Sequence, residues 1–157
     1  KERKNDLQNN QSKISADWYY RYALKILSVN TQELGALINY ENGEKLLAIK
    51  QLKNACIAEK EIGYWEPPHY SRPVLESLAW LYTNENDKVN AIKTYNEALK
   101  LRPKSGHSQF AMAQALEALG ANSKDIKKTY KQFLIYWKNA DNFNDELSYA
   151  KQYIKEH

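Results

Sequence analysis

One cysteine, one methionine, four prolines and five glycines are spread over 157 residues, and each shortage excludes a class of protein. A lone thiol, Cys56, cannot form an internal disulfide, so no disulfide framework holds the fold and cysteine usage carries no compartment signal. Cys56 follows Ala55 in a helical stretch and is expected as core filling. No run of 18 apolar residues occurs, which excludes a transmembrane helix within these residues. Gly35, Gly43, Gly63, Gly106 and Gly120 are isolated, so neither a phosphate-binding loop nor a dinucleotide fingerprint is present. His69, His107 and His157 stand singly, with no Cys or His at ligand spacing and no Glu at a metalloprotease offset. No catalytic residue, metal ligand or cofactor is therefore expected. Glu59, Glu61 and Glu66 cluster in sequence but in polar surroundings, and are expected to be solvated. The chain begins at Lys1 rather than Met, as a fragment or processed product would, and its first residues do not report on targeting.

What the chain has is helix-forming sequence rich in tyrosine. Its length fits one domain, expected over 15–157. Its Gly and Pro residues fall mostly at predicted boundaries, with Gly43 and Gly120 in turns and Pro103 after a helix, which points to an all-α fold. Twelve Tyr and four Trp supply rings that bury a face while keeping a polar atom wet. Tyr82, Tyr95 and Tyr130 are expected to pack. Net charge is +4, from 23 basic and 19 acidic side chains, without a basic block of the kind that marks a nucleic-acid arm. The densest cluster, Lys124, Lys127, Lys128 and Lys131, reads as a solvated helix face. Residues 1–14 are polar and charged and are expected as a disordered leader.

Residues 72–103 pair two helical patterns. Leu78, Ala79 and Tyr82 mark the first helix, and Ala91, Tyr95 and Ala98 the second, which Pro103 stops. Met112, Ala113 and Leu116 follow the first set by 34 residues, and Ile126, Tyr130 and Phe133 follow the second by 35, which places a one-residue insertion between Gly120 and Asp125. Upstream, Ala36 precedes Ala79 by 43 residues, and Ala48, Leu52 and Ala55 precede Ala91, Tyr95 and Ala98 by the same 43. The extra residues lie after Ala55, where the helical pattern continues to Gly63 before Pro67 and Pro68, which cannot continue a helix. Ala16, Tyr20 and Ala23 echo a second helix, so 15–28 is expected as a leading helix or half-repeat.

This pattern resembles the tetratricopeptide repeat over about residues 29–138, with copies at about 29–62, 72–105 and 106–138. The middle copy matches most fully. The first has Gly35 where a large apolar residue is usual, and the third has Ile126 and Phe133 where alanine is usual, which suggests locally wider helix spacing. Glu66-Pro67-Pro68, Ser105-Gly106-x-Ser108-x-Phe110 and Trp137-x-x-Ala140-Asp141 look like C-terminal portions of longer bacterial tetratricopeptide proteins, a type of tail that also occurs behind kinase or regulatory domains. The resemblance implies an all-α solenoid, a right-handed superhelix of helix-turn-helix units. A helix over about 145–155, with Leu147, Ala150 and Ile154 on one face, would cap it.

The resemblance also implies a function, a non-catalytic scaffold that binds a protein or peptide in its concave groove. If Leu78 and Tyr82 face the partner helix, Glu76, Trp80 and Thr83 form a separate stripe at i, i+4 and i+7, which in this family lines the groove. The same register gives Glu33, Leu37 and Tyr40 from the first copy and Phe110, Gln114 and Glu117 from the third, with His107 at the rim. Trp80 is either a binding anchor or covered by another segment. Family members that clamp a chaperone's C-terminal carboxylate need Lys, Asn and Arg where Glu33, Leu37, Ser77 and Ala111 stand, so the expected ligand is an apolar or basic segment. A rival reading is a nucleic-acid-binding helical repeat, against which Glu33, Glu76 and Glu117 argue by repelling phosphates. Another is the regulatory tail of a larger enzyme. Oligomeric state is left open.

Overall fold

A computed structural model describes the backbone of residues 2–63, 72–140 and 145–157, and the side chains of these residues from Asp17 onward. Pro67, Pro68, His69 and Asp141 lie outside the described residues. Among those described, the chain is all-α, with seven helices and no strand. Its contacts divide it into two compact units, Lys1–His69 and Tyr70–His157, where length had pointed to one domain.

The first unit is a helical hairpin of α1 (Glu2–Glu41) and α2 (Lys45–Ile62). From Glu2, α1 runs unbroken through the rest of the expected leader over 1–14, the leading helix over 15–28 and the first helix of the first copy. The physical reason is local: no Gly or Pro precedes Gly35, and helix propensity continues where apolar periodicity fades. The polarity of 2–14 does not end the helix, because a polar segment can extend a helix anchored further along. Val29 and Ala36 on α1 are buried with Ala48, Leu52 and Ala55 on α2, and Asn39 Nδ2 donates to Gln51 Oε1 at 2.7 Å. A Cβ on Gly35 would meet nothing within 4 Å, so this glycine does not serve a close helix approach. Cys56, expected as core filling, is only partly buried.

The second unit contains α3 (Val74–Asn84), α4 (Lys88–Leu101), α5 (Gly106–Ala118), α6 (Ser123–Tyr136) and α7 (Asp145–Glu156). α3 packs on α4, α5 on α6, α5 also on both α3 and α4, and α7 on α6. Most of the positions singled out by spacing are buried, while Met112 is only partly so. Ala79 and Ala113 are fully buried, as are Ala91 and Ala98, and Tyr95, Tyr130, Ile126 and Phe133 are nearly or wholly so. Small residues let two helix backbones approach, and the larger Ile126 and Phe133 are accommodated in an aromatic cluster with Phe110, Leu116 and Tyr130.

Three turns join helices within hairpins, and they are made the same way. After α1, the Glu44 N–H donates to the Asn39 carbonyl at 2.8 Å and the Gly43 N–H to the Tyr40 carbonyl at 2.9 Å. After α3, Asp87 donates to Tyr82 and Asn86 to Thr83; after α5, Ala121 donates to Leu116 and Gly120 to Glu117. Each is a Schellman closure around a left-handed residue, Gly43 at φ 85°, Asn86 at φ 57° and Gly120 at φ 62°. Asn is the side chain that best tolerates this region after glycine. The next helix then opens on Asp87, which accepts from the Asn90 N–H at 3.1 Å, or on Asn122, which accepts from the Asp125 N–H at 2.9 Å. Asp87 directly follows its left-handed residue, whereas Ala121 separates Gly120 from Asn122. Ala121 is the inserted residue.

α7 buries Leu147, Ala150 and Tyr153 against the cluster of Phe110, Ile126, Tyr130 and Phe133, with Ile154 partly buried beside them. Tyr153 thus occupies the central place expected for Ile154. Positions 147, 150 and 153 are successive i+3 steps, and the large ring reaches Tyr130 at 5.1 Å between centroids.

Candidate functional site

The ten expected groove residues form two groups, one in each unit. Glu33, Leu37 and Tyr40 are partly buried along α1. The other seven lie on α3 and α5, and the structure sorts them by what they touch.

Trp80 stands 41% exposed on α3. One turn earlier Glu76 is buried and accepts the hydroxyl of Ser108 on α5. Ser108 Oγ lies 3.0 Å from the hydroxyl of Ser105, and Ser105 also accepts the Ser108 N–H at 3.2 Å and so caps α5. Glu76 was expected to give the groove its acidity; instead its carboxylate joins two helices from within. A buried charge needs such a partner. Thr83 donates to the Ala79 carbonyl of its own helix at 2.9 Å. Near this group the Tyr95 phenol has its pKa pushed up to about 12, by burial first and by the negative field of Glu76 second.

Phe110 is a correction. It is only 7% exposed, with its ring 5.2 Å from Phe133, 5.7 Å from Tyr130 and 6.1 Å from Tyr149. The helical register does place it one turn from the open side of α5, but α7 lays Tyr149 edge-on against it, so it is a core residue. Glu117 is likewise engaged: it accepts the Tyr130 hydroxyl of α6 and, at 3.0 Å, the Tyr149 hydroxyl of α7. Burial and then the bond to Glu117 raise the pKa of both phenols, which keeps them protonated as donors. Gln114 is exposed. His107 is exposed at the start of α5, with its ring edge-on to Trp137 at 4.9 Å and Nδ1 3.8 Å from Glu146 Oε1.

Of the expected groove residues in this unit, Trp80, Gln114 and His107 are the exposed ones, His107 lying beside Trp137 and Glu146. Both carboxylates brace neighbouring helices, Glu76 from a buried position and Glu117 from a partly exposed one. Tyr149 and the contact between Gly106 and Trp137 were missed by sequence reasoning. A signal for Tyr149 did exist, since Tyr149 and Tyr153 are one helical turn apart and flank the apolar stripe. Lys124, Lys127, Lys128 and Lys131 line one side of α6 together with His157 in an open, solvated cleft. Among the described residues, no group of three or more His, Cys, Asp or Glu side chains is placed to hold a metal ion, and no helix is long and apolar enough to cross a membrane. Compared with known proteins, the chain matches no family model and no curated sequence.

Proposed function

We propose that this chain is a non-catalytic interaction scaffold of the tetratricopeptide type, which binds a peptide segment of a partner protein through the face that carries Trp80. One observation carries the reading. The three helix hairpins close on the same Schellman turn at Gly43, Asn86 and Gly120, and the small residues Ala36, Ala79 and Ala113 are fully buried at the matching place before each turn. Such units each bury one face against a neighbour and leave another available, which is how repeat proteins bind. α7 serves as the polar-backed cap of the second unit.

The ligand that suits this face has an apolar anchor for the indole. Glu76 is buried and both oxygens of Glu117 already accept tyrosine hydroxyls, so basic residues in the ligand contribute less than the apolar one. Selection of a random peptide display library on the full chain tests this. Enriched peptides should share an apolar residue, and Trp80→Ala should weaken their binding by about 1–3 kcal/mol with helicity unchanged. Peptides that bind equally well to Trp80→Ala of unaltered circular dichroism would refute the assignment of the face.

A further inference from the structure

α1 carries an apolar stripe that the hairpin does not use. Tyr20, Leu24, Leu27, Thr31, Leu34 and Ile38 follow one another at steps of 4, 3, 4, 3 and 4 residues, and all are exposed, Tyr20 at 64%, Leu27 at 59% and Leu34 at 61%. That is a heptad seam, with a period of 3.5 residues. It runs opposite the face buried on α2, since Val29 and Ala36 fall about 160–180° from the centre of the seam in the helical projection and are the buried residues of this stretch. Thr31, the one polar member, donates its hydroxyl to the Leu27 carbonyl of its own helix at 2.8 Å, which leaves no hydroxyl hydrogen to be satisfied across the seam.

We infer that this seam docks the α1 helix of a second copy of the chain, making a homodimer. The stripe from Tyr20 to Ile38 is about 27 Å long, so a partner must supply a helix of similar length with the same apolar spacing. A second α1 does so. α2, the next longest described helix at 18 residues, is already packed on the other side. Charge permits self-association: the positions flanking the seam are Ala23, Asn30 and Leu37 on one side and Arg21, Ser28 and Gly35 on the other. Arg21, the one charge among them, is neutralised by Asp17 at 2.9 Å. Two copies therefore meet without like-charge repulsion, while a strongly charged partner would find nothing to pair with. Area decides the matter. The exposed parts of the six residues come to roughly 500 Å² per copy, so pairing buries about 1,000 Å² in all, the lower bound for a specific interface.

The test is sedimentation equilibrium of the full chain over a concentration series. The mass should rise from the 18.3 kDa monomer to twice that value. Leu27→Glu combined with Leu34→Glu should raise the dissociation constant by about 100-fold or more, roughly tenfold for each side chain. Thr31→Arg provides a second variant should the leucine changes reduce helicity. Single thiols at Leu27→Cys or Leu34→Cys, with Cys56→Ser, should cross-link between copies, whereas Lys100→Cys in the second unit should not. A chain that stays monomeric at every concentration overturns the inference. So does a dimer unaffected by the seam variants at full helicity, or cross-linking at Lys100→Cys as strong as at the seam.

Discussion

Replacing Gly106 with alanine tests the packing of the second unit by the sign of its effect. In an ordinary helical position Gly→Ala stabilises by about 0.5–1 kcal/mol, because alanine loses less backbone entropy on folding. Here a Cβ would lie 1.6 Å from Nε1 of Trp137, 2.1 Å from Cε2 and 2.2 Å from Cδ1, where ordinary contact begins at 3.4 Å. The indole would have to retreat about 1.8 Å. It cannot do so freely, being held by Phe133 at 5.3 Å and His107 at 4.9 Å between ring centroids. Overpacking of this kind costs about 1–3 kcal/mol, so Gly106→Ala should destabilise by a net 1–2 kcal/mol. For a unit of this size that lowers the melting temperature by about 5–10 °C. Because the chain has two units, circular dichroism melting should be paired with hydrogen exchange, and lost protection should concentrate in 106–137. Trp137→Ala supplies the control. With the indole gone, adding the methyl group at 106 should be neutral or stabilising, a coupling of about 1–3 kcal/mol. A stabilising Gly106→Ala in the unaltered background, or no coupling to Trp137, would refute the close approach.

Removing residues 145–157 uncovers Phe110, Ile126, Tyr130 and Phe133, so hydrogen exchange should accelerate in 106–138 and solubility should fall, with 17–62 unaffected; uniform protection would show that α7 is not a cap. Alkaline titration should reveal Tyr95. Its folded pKa of about 12 stands above the ordinary phenol value of 10.0, so its contribution to stability is complete below pH 10 and is lost as pH rises through 12, because the unfolded chain ionises first. Tyr95→Phe should flatten that part of the stability curve, followed by ultraviolet difference spectra and circular dichroism. Asn86→Gly should be neutral or stabilise by up to about 1 kcal/mol, since φ is 57° there, whereas Asn86→Val should cost more than 1 kcal/mol in chemical denaturation.

The helix pairs of the second unit were legible because their signal is local and recurrent. Ala79, Ala91, Ala98 and Ala113 sit where only a small side chain lets helices approach, and that requirement leaves a period in the sequence. The turn at Asn86 was less visible because asparagine substitutes for the glycine found at 43 and 120. α1 was misdivided for the opposite reason. Loss of apolar periodicity marked a boundary, but a helix ends only where the backbone is stopped, and nothing before Asn42 and Gly43 stops it.

Trp80 and Gln114 remain exposed, but Phe110, Glu76 and Glu117 changed character in three dimensions. A helical wheel assigns a residue to a face; it does not know what lies over that face. α7, 27 residues beyond the end of α5, brings Tyr149 to Phe110 and to the Glu117 carboxylate, and Ser108 reaches Glu76 across 32 positions of sequence. The sequence by itself determined the all-α class, the hairpin register and the small residues at helix contacts, because those follow from interactions within a few turns. Only the tertiary structure decided which stripe stays open and which carboxylates become struts, because burial depends on residues that meet only after the chain has folded.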